Sequence, residues 1–124
     1  MGDFHDSLLL PLRRKIEKNG FRVTKKGPMP SYRPDLFAQK LSNNDRVVEE
    51  VIVEAEIESS LFLDHSLDQL EHMDDYIRQQ KRKKVKVTGF LVVPDDKSVR
   101  LQAKQLLDTL ESTCIKLLAV SIKN

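Results

Sequence analysis

A chain of 124 residues that is 40% apolar has the size of one ordinary domain with a single core, so one domain spanning residues 1–124 is expected. No apolar run approaches the roughly 18 residues of a membrane span, and the first residues lack the charged and apolar succession of a signal peptide, which points to a soluble protein of the cytoplasm. The net charge of +2 excludes little, and the lone Cys114, among Ile115, Leu117 and Leu118, reads as a buried strand residue rather than a nucleophile.

Leu8, Leu9, Leu12 and Ile16 recur at helical spacing, and Asn19-Gly20 supplies a stop. Pro11 must then sit in the first turn or kink the helix. Phe21 to Thr24 reads as a short strand, followed by a loop punctuated by Gly27, Pro28 and Pro30. A second strand is expected over 33–41, and the turn composition of Ser42-Asn43-Asn44-Asp45 leads into a third over 46–57. Ser66 reads as the N-cap of a helix carrying Leu67, Leu70, Met73, Asp74 and Ile77. The run VKVTGFLVV, 85–93, becomes continuously apolar, as an interior strand does. A helix with Val99, Ala103, Leu106, Leu107 and Leu110 and a strand over 114–122 complete the order α-β-β-β-α-β-α-β. That order predicts an α/β protein with a central mixed sheet flanked by helices.

Charge is unevenly distributed. Arg13 to Lys40 holds nine basic residues against Glu17 and Asp35; Asp45 to Asp75 holds eleven acids against Arg46; Arg78 to Lys86 holds six bases and no acid. An acidic centre between basic flanks suits a site where carboxylates meet metal ions and Lys or Arg hold a polyanion, although charge runs are also ordinary solvated faces. The stretch VIVEAEIE sharpens the point. Glu54 and Glu56 are two apart on a strand and project from one face about 6–7 Å apart. At an effective dielectric near 20 they repel by roughly 2–3 kcal/mol. Either that face is wet or something positive sits on it.

Pro34-Asp35 opens the preceding strand. If the two strands pair, Asp35, Glu54 and Glu56 can converge, and three hard oxygen donors are what magnesium or manganese needs, with water and phosphate oxygens completing the shell. With the element order, the segments NGFRV, RPDLFA, VIVEAE and VKVTGFLVV resemble the PD-(D/E)XK nuclease superfamily, the restriction-endonuclease-like fold that includes Holliday junction resolvases. The resemblance covers most of the chain. It implies a Mg2+- or Mn2+-dependent DNA endonuclease acting on branched or structured DNA, a homodimer, with Asp35 and Glu54 holding the metal. The last motif position is usually Lys and here is Glu56, which the resemblance makes a general base or a second-metal ligand. The alternative is a non-catalytic DNA-binding or protein-interaction module that retains the fold.

Other residues carry two readings each. Gln69 stands where some branches of that family place an active-site Gln, but also completes a capping box with Ser66. The first helix of some branches supplies a further acid, here Asp6 in preference to Glu17. His65 and His72 share a helix face without any zinc-binding pattern. Tyr76, on the side of Gln69, either touches substrate or packs the helix. Arg33, Lys25 and Lys26 flank Asp35 as phosphate contacts; Lys83 and Lys84 read as phosphate contacts or as a solvated helix end. No phosphate loop or dinucleotide fingerprint is present.

Overall fold

In a computed structural model that describes residues 2–25, 27–29, 32–56, 64–111 and 114–121, the first apolar stripe forms helix α1 (Gly2–Lys18), and Leu8, Leu9, Leu12 and Ile16 are buried beneath it. Pro11 lies inside this helix on its exposed side, not in the first turn. An interior proline costs about 3 kcal/mol. Four buried aliphatic side chains at roughly 1.5–3 kcal/mol each outweigh it. Gly20 at φ 91° ends the helix, with the Phe21 amide donating to the Ile16 carbonyl at 3.2 Å, and turns the chain into β1 (Arg22–Val23).

The remaining strands are β2 (Leu36–Leu41), β3 (Val47–Ala55), β4 (Lys86–Pro94) and β5 (Ile115–Val120), in the spatial order β1-β2-β3-β4-β5. Pairing is antiparallel from β1 to β3 and parallel from β3 to β5. Parallel neighbours require crossovers, which are helices α2 (Asp64–Arg82) and α3 (Lys97–Leu110). The α/β class and the mixed sheet flanked by helices are therefore as expected. Among the described residues, no helix is long and apolar enough to cross a membrane.

Two cores form, one on each face of the sheet. Alternation sends Val51, Val53 and Ala55 of β3 toward α1, and Ile52 toward α2 and α3, where it joins Phe37, Leu70, Met73, Leu91 and Val99. Glu50, Glu54 and Glu56 have the parity of Ile52 and so share the α2 face. Gly89 lets α2 approach the sheet, since a Cβ there would stand 2.7 Å from Ile77 Cδ1. Ser66, 1% exposed, lies within α2 rather than capping it, and the cap of α3 is Asp96, whose side chain accepts from the Val99 amide. Cys114 is half-buried just before β5 and packs against the α2–α3 core, short of the full burial expected.

Candidate active site

Asp35 is brought to Glu54 by strand register. Leu36 pairs with Val53, so the preceding residue stands opposite Glu54. Where the β2–β3 ladder ends, the Asp35 carboxylate accepts from the Ala55 amide at 2.8 Å, while the Asp35 amide donates to Glu54 Oε1 at 3.4 Å. Asp35 is exposed; Glu54 is 4% exposed. The second carboxylate oxygen of Glu54 accepts from the Tyr32 hydroxyl at 2.9 Å. Burial above all, then the charge of Asp35, pushes the Glu54 carboxyl up to about 9 from an ordinary 4.5. The pair is thus a protonated buried acid against an open carboxylate.

This answers the question posed by VIVEAEIE. At Glu54 the face is buried, and among the described residues its hydrogen-bond donors are the Tyr32 hydroxyl and the Asp35 amide rather than a side-chain cation. Of the expected trio, Asp35 and Glu54 are joined directly, through the Asp35 amide. No set of three His, Cys, Asp or Glu side chains among the described residues is grouped to hold a metal. Glu56, 7% exposed, lies past the start of β2, with its amide on the Val92 carbonyl of β4. Two residues along a strand carry it roughly 6–7 Å beyond Asp35's partner. Magnesium is commonly held by one or two carboxylates plus water and substrate phosphate oxygens. Asp35 and Glu54, both hard oxygen donors and one of them open to solvent, fit such an ion.

Tyr32 is the support that sequence reasoning missed. It is fully buried, its amide bonds Met29 at 3.1 Å, and its ring stacks on His72 of α2 at 5.7 Å. Burial, then the adjacent Glu54, holds its hydroxyl protonated well above the ordinary tyrosine range. The loop it anchors is tight, because a Cβ on Gly27 would meet the Tyr32 carbonyl oxygen at 2.5 Å. His72 Nδ1 donates to the Asp68 carbonyl oxygen at 2.7 Å.

A second buried acid, Glu50, was also missed. Its oxygens accept from Tyr76 at 2.7 Å, Gln80 at 2.8 Å and Gln39 at 2.8 Å, tying β2, β3 and α2 together. Tyr76 therefore serves Glu50, and burial followed by that bond raises its hydroxyl out of the titrating range. The available signal was parity, since Glu50 lies on the same strand face as Glu54 and opposite Gln39.

Of the basic candidates, Arg33 and Lys25 line a cleft of about 350 Å³ beside Asp35, joined by Arg13 of α1, which had not been singled out. Lys83 and Lys84 sit elsewhere. They form the turn after α2, with Lys84 at φ 64°, and lead into Lys86, which pairs with Glu49 at the start of β3. Five residues of strand, roughly 17 Å, separate that end from Glu54. The α2 end cannot share a phosphate with Asp35. Gln69 makes no capping box, because Ser66 is helical; its Oε1 is buried without a hydrogen-bond partner among the described residues. Lys26 and the side chains of Asp6 and His65 lie outside the described residues. Compared with family models, with curated proteins and with solved structures, the chain matches none.

Proposed function

We propose that this chain is a metal-dependent DNA endonuclease of the PD-(D/E)XK type, with the restriction-endonuclease-like fold and Mg2+ or Mn2+ as cofactor. The observation that carries the reading is the Asp35–Glu54 pair: two carboxyl groups held face to face by strand register, one buried and protonated, at the mouth of a cationic cleft. A divalent cation supplies electrophilic stabilisation of a phosphate and makes nearby water more acidic.

The chain's own residues do the rest. Asp35 and Glu54 would hold the cation, for which Glu54 would have to give up its proton. Tyr32 keeps the Glu54 carboxylate turned toward Asp35 through its hydroxyl bond. Arg33 and Lys25 receive the nonbridging phosphate oxygens. Glu56, farther along the same face, takes the proton of the attacking water, the task a Lys-bearing motif would arrange differently. A homodimer would let two such sites address both strands of a duplex, and sedimentation of the free chain checks that arrangement.

Plasmid nicking in magnesium or manganese, with Asp35→Asn and Glu54→Gln beside the parent, tests the reading. Nicking that survives both substitutions removes these residues from the mechanism. One observation favours a second reading, a binding module without activity: the position where the motif usually has Lys is Glu56. Calorimetric manganese binding that disappears in Asp35→Asn supports the enzyme; absence of binding by a folded parent supports the module.

A further inference from the structure

The cleft beside Asp35 is built from three separate pieces of chain: Arg13 of α1, Thr24, Lys25 and Gly27 after β1, and Arg33 and Asp35 ahead of β2. Its volume of about 350 Å³ lies at the small end of the roughly 300–1,000 Å³ of ligand pockets. That is room for about one nucleotide. Its charge is equally specific. Arg13, Lys25 and Arg33 against Asp35 leave two net positive charges. An internal phosphodiester carries one negative charge, whereas a phosphate monoester carries about 1.5–2 at neutral pH.

The walls are also held in advance. The Thr24 amide donates to the Phe37 carbonyl at 2.9 Å, and Gly27 packs against the backbone of Tyr32, whose side chain is locked in the core. Arg13 is available, since its contact with Glu17 is 3.6 Å long and both side chains are half exposed, a pairing worth little in water.

We propose that this cleft binds the terminal phosphate of a DNA strand, a proposal that rests on the nuclease reading for its substrate class but is tested by binding alone. Fluorescence anisotropy of the full chain in EDTA would compare short single-stranded oligonucleotides bearing a 5′-phosphate, a 3′-phosphate or hydroxyls at both ends. The chemistry is the same for either end, and the arms tell them apart. One phosphorylated form should bind about tenfold more tightly than the hydroxyl form, the scale of one charge-assisted contact. The preference should vanish in an Arg33→Gln, Lys25→Gln double variant that melts like the parent, and persist in Lys83→Ala, Lys84→Ala.

Equal affinity for phosphorylated and hydroxyl ends overturns the proposal. So does a preference that survives the Arg33, Lys25 double variant, or one that the Lys83, Lys84 variant removes equally well. Cleavage by a parent lacking any end preference sinks the cleft assignment and leaves the nuclease reading intact. End preference in a parent that cuts with neither metal does the reverse.

Discussion

Glu50 and Glu54 sit four residues apart on the same face of β3, both almost wholly buried, yet they are built for different ends. Glu50 is closed: three neutral donors from one strand and one helix converge on it. Glu54 is open on one side, where it faces the exposed Asp35 across the end of the ladder and keeps its proton up to about 9. Burial alone therefore does not mark a functional acid. What distinguishes Glu54 is a second carboxyl group beside it with access to solvent, which together with burial raises its pKa and which packing does not require.

The comparison can be broken most severely through activity. Asp35→Asn or Glu54→Gln should reduce metal-dependent nicking by roughly a hundredfold or more, since either removes an oxygen ligand for the ion. Tyr76→Phe, which takes one donor from Glu50, should leave the nicking rate per folded molecule unchanged. Its cost should appear in urea unfolding instead, as a loss of about 1–3 kcal/mol at unchanged slope, because a buried carboxylate is left short of a bond. A nicking defect in Tyr76→Phe as large as in Asp35→Asn would erase the distinction between the two acids.

Stability against pH sharpens it further. In EDTA the folded chain retains the Glu54 proton up to about 9, while the unfolded chain loses it near 4.5. Between those values the folded state binds more protons, so the Glu54 contribution is fully present below about 4.5 and is lost as pH rises toward 9. Glu54→Gln should flatten that decline and exceed the parent by on the order of 1 kcal/mol or more at pH 8, with little difference at pH 4. Thermal melts across the range check the sign; a parent that gains stability from pH 5 to pH 8 relative to Glu54→Gln would contradict the buried proton. The smallest effect is expected at the other end of β3. Lys83→Ala, Lys84→Ala should lower the salt dependence of DNA binding by at most about one phosphate contact per residue and leave nicking rates unchanged at saturating DNA.

Periodicity made the elements legible. The stripe Leu8, Leu9, Leu12, Ile16 and the unbroken run of β4 specify a helix and an interior strand because each buries a face whose spacing is written locally. The pairing of Asp35 with Glu54 was within reach for the same reason: both lie at strand ends, and adjacent strands in a meander pair with their neighbours. Ser66 misled, since a good capping residue is also a small side chain that fits a buried position inside α2. The place of Lys83 and Lys84, in the turn after α2, was not legible, because a charge run carries no information on which end of the sheet it occupies.

By itself, the sequence determined which segments form helices and strands, and that acidic side chains line one face of β3, since both follow from local spacing. Only the tertiary structure decided that the Asp35 amide donates to Glu54, that the Tyr32 hydroxyl does so too, and that Arg13 joins Arg33 across a shared cleft. Those relations link residues 19 to 22 positions apart in the chain or on separate elements. They depend on where one strand stops against its neighbour and how a loop folds back, distances that no periodicity along the chain encodes.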